Sequence, residues 1–333
     1  MATPPPVAPL RSLSSSPCSL KVLLLLCSFL LATVSEGSSV AKLRFARRSG
    51  KFKILQNVLP AEQRGCSDLN TTAFLRRLIL AEKPNLIVFT GDNIFGFDAN
   101  DSARSMEAAF APAVAAGIPW AAGLMQHIAG MPAALSRVNP RGLSFPIDGF
   151  GNYHLSVAGA AGSAMANQSI LNLYFLDSGD YSSSDFSVYD WIKPSQLLCA
   201  GDGLLPHPVP EFGSFGPGNS TGVRQEGISS AAVNSGLFAA MVAAGDVKAA
   251  FVGHDHINDF CGELAGVNLC YGGGFGYHAY GKAGWPRRAR VVAVSLEKTS
   301  AAGWGGVKTI RTWRRLDDRS LSTIDSQLLW TKI

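Results

Sequence analysis

Short apolar runs alternate with longer amphipathic stretches along most of this chain. The run Leu86–Phe89 is apolar at every position and includes β-branched residues, which predicts a strand buried on both faces. Further strands are predicted at 52–55, 120–122, 171–176 and 247–252. Helices are predicted at 68–80, 103–115 and 234–244. The first helix has Ser67 or Asp68 as its N-cap. This alternation predicts an α/β or layered α+β domain.

The first forty residues have a different pattern. Arg11 and Lys21 precede the apolar run Val22–Ala32, and small or polar residues follow it. This order is typical of a secretory signal peptide, which we place at residues 1–36. The run of about 11 residues is shorter than the roughly 20 that span a bilayer, and no later segment approaches that length. An uncleaved anchor and a plastid transit peptide are the alternatives, and a mature N-terminus near residues 33–40 would exclude the anchor.

Several features fit passage through the secretory pathway. Acceptor motifs for N-glycosylation stand at Asn70, Asn100, Asn167 and Asn219. Cys261 and Cys270 flank a segment suited to a hairpin, so we expect a disulfide between them in an oxidising compartment. No C-x-x-C pair is present, which argues against a zinc site made of thiolates.

The composition is that of a globular protein. The chain has 333 residues, of which 47% are hydrophobic and 16% charged, and it lacks collagen-type and heptad repeats. The formal net charge is only +5, and no Lys/Arg run accompanies aromatic residues. The sequence therefore predicts no nucleic-acid partner. It gives no indication of the oligomeric state.

The candidate chemistry follows two of the predicted strands. Asp92 lies in Thr-Gly-Asp-Asn after strand 86–89, and His254 and His256 lie in Gly-His-Asp-His after strand 247–252. Glycine permits a tight turn, and imidazole is the commonest nitrogen ligand of Zn, Fe or Mn. A carboxylate bridging two metals, with a histidine at each, would clamp phosphoryl oxygens and generate hydroxide. A helix cap or turn at Asp92 and a surface loop with two solvated histidines are the alternatives.

These motifs resemble those of the calcineurin-like metallophosphoesterases, and more narrowly those of the short, single-domain plant purple acid phosphatases. The similar segments include Gly-His-Asp-His-Ile-Asn-Asp-Phe-Cys-Gly (253–262) and 66–74, 86–99, 172–181, 222–230 and 273–285. The resemblance implies a four-layer αββα sandwich over residues 48–332. It also implies a dinuclear centre of Fe with Zn, Mn or Fe. The implied substrates are phosphomonoester small molecules or phosphoproteins, and the implied location is the cell wall, the extracellular space or a vacuole.

Transferred residue by residue, the resemblance assigns the bridging carboxylate to Asp92, a second-metal ligand to His254 and a first-metal ligand to His256. The tyrosinate that colours the purple enzymes corresponds to Phe95, which cannot coordinate a metal. We therefore expect no charge-transfer colour and a redox-inert metal pair. His207 precedes Pro-x-Pro-Glu-Phe and is a further candidate ligand, although it is displaced by one position.

Three motif-bearing places in the chain are damaged, and the displaced segment at His207 is one of them. The first-strand aspartate expected after Gln56 is missing. The Gly-Asn-His loop expected after 120–123 is missing too, together with an asparagine ligand and the catalytic histidine. His127 is expected to be a helix residue that replaces neither of them. The segment Gly151–His154 only imitates the lost loop, and His278 is expected to be structural or to line a substrate pocket.

Two functions remain open. One is a secreted or vacuolar phosphatase of the acid type, in which metal-bound hydroxide attacks phosphorus. The other is a non-catalytic protein of the same fold, either a binding module or a truncated product. Only three of seven expected ligands are present without displacement, which favours the second for this chain, whereas the family resemblance favours the first. A membrane-anchored receptor-like domain is a third hypothesis and requires an uncleaved leader. Lost connections between packed elements also predict marginal folding.

Overall fold

The computed structural model describes most of the chain after residue 41. The described ranges are 42–57, 68–94, 99–122, 128–139, 146–197, 203–205, 207–277, 279–299 and 303–333. The predicted signal peptide, Phe95, His127 and His278 lie outside these ranges. Within them, no helix is long and apolar enough to cross a membrane.

The described residues form strands, helices and two short 3-10 helices. The strands are β1 (Lys51–Asn57), β2 (Leu86–Phe89), β3 (Trp120–Ala122), β4 (Tyr153–Ala158), β5 (Ser169–Phe175), β6 (Gly203–Leu205), β7 (Ala249–Val252), β8 (Cys261–Leu264), β9 (Val267–Tyr271), β10 (Arg288–Lys298), β11 (Trp304–Leu316) and β12 (Thr323–Thr331). The α-helices are α1 (Asp68–Glu82), α2 (Ser102–Ala115), α3 (Pro194–Leu197) and α4 (Leu237–Ala244). The 3-10 helices are Ile128–Gly130 and Pro210–Ser214.

The strands form two six-stranded sheets. The first has the order β12-β11-β10-β1-β2-β3, with β1, β2 and β3 parallel and β10 antiparallel to β1. The second has the order β4-β5-β6-β7-β9-β8, in which β5, β6, β7 and β9 are parallel and the edge strands β4 and β8 are antiparallel to their neighbours. Parallel strands end at the same edge of a sheet, so the segments that follow them meet there.

Alternate residues of the central strands face different cores. Leu86 and Val88 of β2 belong to a cluster shared with inward-facing residues of the second sheet. Ile87 and Phe89 pack instead with residues of α1 and α2 on the outer face. A third cluster, which includes Leu237 of α4, covers the outer face of the second sheet. Because side chains alternate along a strand, this pattern produces helix–sheet–sheet–helix layering. The predicted four-layer fold is confirmed.

A buried ion network joins the two sheets next to the loop after β7. Asp259 is fully buried, and its carboxylate accepts hydrogen bonds from Arg288 (2.7 Å) and Arg314. Arg290 donates to its backbone oxygen at 2.8 Å. Burial lowers the pKa of Arg288 to about 10 and that of Arg290 to about 9. The network therefore depends on the negative charge of Asp259 to compensate cations that have lost their hydration.

A second network fixes the end of α1 to the first sheet. The Glu82 carboxylate accepts hydrogen bonds from Lys53 (2.9 Å), Arg315 (2.6 Å) and Trp313 (3.1 Å). Burial by itself would raise the pKa of Glu82, but these donors outweigh burial and hold it below 4.5. Glu82 is thus a charged group whose ionised form is stabilised by folding.

Candidate functional site

The predicted ligands lie at the edge where parallel strands of both sheets end. Asp92 follows β2 in the first sheet, whereas His207 follows β6 and His254 and His256 follow β7 in the second. The structure thus brings together residues that are more than 100 positions apart in the chain. Topology alone accounts for this, since ligands of open α/β sheets bind beyond the carboxyl ends of the strands.

The backbone at two of these residues is strained. Asp92 has φ of 46° and His254 has φ of 68°, which are left-handed values for residues other than glycine. Gly91, with φ of 106°, supplies the turn before Asp92 without that cost. Strain of about 1–3 kcal/mol per residue persists only where the surroundings determine the conformation, and it is concentrated at functional sites.

The side chains form a compact group around one carboxylate oxygen. His256 Nε2 lies 2.9 Å from Asp92 Oδ2, within hydrogen-bonding distance. His254 Nδ1 lies 4.0 Å from the same oxygen. The rings of His207 and His254 are in contact, with centroids 4.4 Å apart. We call these four residues the histidine–aspartate cluster.

The charges of the cluster are coupled. Burial would raise the pKa of Asp92, but the hydrogen bond with His256 and the nearby imidazoles hold it below its usual value. Burial, together with the charge of His254, lowers the pKa of His207 to about 4. His207 Nδ1 lies 3.0 Å from Ser178 Oγ, and the hydroxyl also accepts from the backbone N–H of His207. His207 is therefore a neutral imidazole above about pH 4.

Gln56 connects the strand ends beside the cluster. Its Nε2 donates to Thr90 Oγ1 (3.2 Å) after β2 and to the carbonyl of Val252 (3.1 Å) at the end of β7. The side chain is 1% exposed, and its Oε1 has no hydrogen-bond partner among the described residues. The sequence drew attention to Gln56 only as the residue before a missing aspartate, so this bridging role was not predicted.

An aromatic hairpin borders the cluster, and sequence reasoning missed it. The ring of Tyr189 packs against His254 at 5.0 Å and against His207 at 5.4 Å between centroids. Tyr181, which is 67% exposed, stacks on Tyr189 at 5.7 Å and forms a β-bridge with it. The run of rings therefore extends from the cluster to the solvent.

The described residues do not fit a dinuclear metal centre. No group of three or more His, Cys, Asp or Glu side chains in the described ranges is arranged to hold an ion. His256 Nδ1 is buried and has no hydrogen-bond partner among the described residues. A metal-binding histidine normally donates its other N–H to an acceptor that orients the ring. The described residues thus provide too few metal ligands, and His256 lacks the hydrogen-bond acceptor that normally orients a metal-binding histidine.

The remaining predicted site residues lie elsewhere. The four glycosylation asparagines, Asn70, Asn100, Asn167 and Asn219, are all exposed. Their modification stays a prediction. Cys261 and Cys270 are paired directly across β8 and β9, and a disulfide joins them. His154 lies on β4 and packs against Tyr174 of β5.

Two plant proteins are similar to this chain over most of their length. Probable inactive purple acid phosphatase 29 of Arabidopsis thaliana is 52% identical, and the match covers 90% of this chain and 91% of that protein. Probable inactive purple acid phosphatase 14 of the same organism is 47% identical, with 87% and 86% covered. No family model matches the chain.

A solved structure agrees with the fold. A dimetal phosphatase from Danio rerio superimposes with a TM-score of 0.51, covering 84% of this chain and 99% of that one. The sequences are only 12% identical, so this similarity supports the architecture and not the chemistry.

Proposed function

The chain belongs to the purple acid phosphatase family, and we propose that it is a member that does not hydrolyse phosphomonoesters. The loss of motif residues that the family resemblance assigns to metal binding and catalysis carries this proposal. In a two-metal hydrolase, ligands of this kind contact ions that activate water and neutralise the phosphoryl oxygens.

The missing residues belong to two segments that follow strands of the first sheet. The family resemblance places an aspartate after the first strand and an asparagine and an acid/base histidine after the third, and this chain has none of the three. Loss of residues that act as a unit in catalysis removes nearly all of the rate enhancement. Both plant relatives reported above are also named as probable inactive proteins.

We further propose that the chain is a secreted or vacuolar glycoprotein that binds phosphoester-containing small molecules or phosphoproteins without turning them over. The leader pattern and the four exposed acceptor asparagines support the location and the glycosylation. The aromatic hairpin supports a binding role, since exposed Tyr181 offers an apolar surface next to the cluster.

A second candidate function is hydrolysis by a centre with substitute ligands. The left-handed backbone at Asp92 and His254 favours it, because strain of this kind is characteristic of working sites. Fe, Zn and Mn are the metals that such a centre would be expected to take.

Metal content and turnover distinguish the two candidates. The full chain would be secreted from a eukaryotic host and its metals counted per chain, with p-nitrophenyl phosphate turnover followed from pH 4 to 8. We expect fewer than two metals, and turnover no greater than that of Asp92→Asn. Two metals per chain, together with turnover that Asp92→Asn abolishes, would refute the proposal and establish the hydrolase.

A further inference from the structure

We propose that Glu226 and Tyr280 are positioning residues that hold the imidazole of His256 against Asp92. Neither is a candidate ligand, and the resemblance assigns no role to either residue. The inference rests on the same site as the proposed function, but it concerns the orientation of one side chain and not the presence or absence of turnover.

Tyr280 contacts His256 in two ways. Its ring stacks on the imidazole, with centroids 4.4 Å apart and an angle of 24° between the planes. Its hydroxyl accepts a hydrogen bond of 3.0 Å from the backbone N–H of His256. One contact fixes the start of the side chain and the other fixes the plane of the ring. Together they restrict the rotamers available to His256.

Glu226 completes the arrangement. Its Oε2 accepts from the Tyr280 hydroxyl at 2.8 Å, and its Oε1 accepts from the backbone N–H of Ile257 at 2.7 Å. A single carboxylate therefore binds both the tyrosine that stacks on His256 and the peptide that follows it. Hydrogen bonds to an ionised acceptor are about twice as strong as those between neutral groups.

The segment that carries Glu226 is itself fixed to the histidine loop. Fully buried Asn258 accepts through Oδ1 from the backbone N–H groups of Gln225 (2.9 Å) and Glu226 (3.1 Å). Asp255 accepts from the backbone N–H of Ser229 at 3.1 Å. Glu226 and Tyr280 thus have a defined place from which to act on His256, as precise positioning requires.

Imidazole signals of the full secreted chain labelled with ¹⁵N-histidine test the proposal. The chain has six histidines, and the His256 signal is the one that disappears in His256→Asn. Asp92→Asn defines the Nε2 signal of His256 without its carboxylate partner. Tyr277→Phe is the matched control, because Tyr277 also donates its hydroxyl to a carboxylate, that of Asp317.

We expect Tyr280→Leu, which loses the stack and the hydroxyl, to move the Nε2 signal of His256 most of the way to its position in Asp92→Asn. Tyr280→Phe keeps the stack, so its Nε2 signal should lie closer to the wild-type position than that of Tyr280→Leu. Because Tyr280→Phe lacks the hydroxyl that accepts from the His256 backbone N–H, exchange of that amide hydrogen should become about fivefold faster. Glu226→Gln should move the signal in the same direction, and Tyr277→Phe should leave it unchanged.

A wild-type Nε2 signal in folded Tyr280→Leu and Glu226→Gln would overturn the proposal. If Tyr280→Leu does not fold, an unchanged signal in Tyr280→Phe and Glu226→Gln would do so. Melting temperatures matched to that of Tyr277→Phe separate positioning from general destabilisation. Turnover in the wild type would refute the proposed function and leave this test intact.

Discussion

Replacing Asp259 with asparagine tests how the histidine loop is held. Asp259 is fully buried, and its carboxylate forms ion pairs with Arg288 and Arg314. The carboxylate also accepts a hydrogen bond of 2.8 Å from the backbone N–H of Val223. Asparagine has the same size and retains one acceptor oxygen, but it carries no charge. The substitution therefore leaves the buried guanidinium of Arg288 without its anion and leaves Arg314 with Asp325 as its remaining carboxylate partner.

The magnitude follows from the desolvation of these groups. Breaking a buried ion pair by removing one partner typically costs about 3–5 kcal/mol. Arg288 loses its ion-pair partner, Arg314 keeps Asp325, and asparagine still accepts one hydrogen bond, so we expect a loss of about 4 kcal/mol. Against a typical total stability of about 5–15 kcal/mol, this is a large fraction. For a domain of this size it corresponds to a fall in Tm of about 7 °C.

Urea and thermal unfolding of Asp259→Asn at pH 7, measured beside Asp246→Asn, provide the assay. Asp246 is exposed, so its variant controls for the change in net charge. A loss for Asp259→Asn within 1 kcal/mol of the control would refute the reasoning, because it would mean that the buried arginines need no anion. Faster exchange of the His256 amide in Asp259→Asn would show that the loss reaches the cluster.

Three further perturbations have defined outcomes. The pKa of Glu82 is lowered, so the stability that its carboxylate contributes is present above about pH 4.5 and is lost as the pH falls. Glu82→Gln should therefore be less stable than the wild type at pH 7. Urea titrations should show that this difference in unfolding free energy becomes smaller below about pH 4.5. Cys261 and Cys270 are nine positions apart, and a disulfide that closes a loop of this length restricts the unfolded chain. The double alanine variant should therefore lose about 2.5 kcal/mol of unfolding free energy. A loss below about 0.5 kcal/mol would contradict this reasoning from loop entropy. Gln56→Leu removes two hydrogen bonds, which destabilises the fold, and one unpaired buried oxygen, which stabilises it. Because the two effects oppose each other, calorimetry should find a change in unfolding free energy within about 1 kcal/mol.

The sequence pattern predicted the central strands because their burial is uniform. Leu86–Phe89 is apolar throughout and is buried on both faces in the structure. The helix predicted over 234–244 begins instead at Leu237, because Gly236 has φ of 76° and stands at the N-cap in a left-handed conformation. Local propensity did not reveal this conformation, which the surrounding loop sets.

The long strands β10, β11 and β12 were not predicted, and in β10 and β11 buried charge interrupts the apolar pattern. Arg290 and Arg314 are fully buried within β10 and β11, where a hydrophobic pattern is expected to show apolar residues. Their partner Asp259 lies at least 31 positions away, so no local window contains both charges. The aromatic neighbours of the cluster, Tyr189 and Tyr280, escaped prediction for a related reason, since a single tyrosine in a loop has no periodic signal.

The contacts around the histidine loop explain how its geometry persists where ligand motifs are absent. The strained backbone at His254 needs surroundings that impose it. In this chain the buried ion network of Asp259 lies at one end of the loop, and Glu226 and Tyr280 hold His256 from the side. These contacts are formed between protein groups that are present in this chain. A chain of this family can therefore lose metal ligands from other loops and keep its histidines in place, which separates conservation of the fold from conservation of the chemistry.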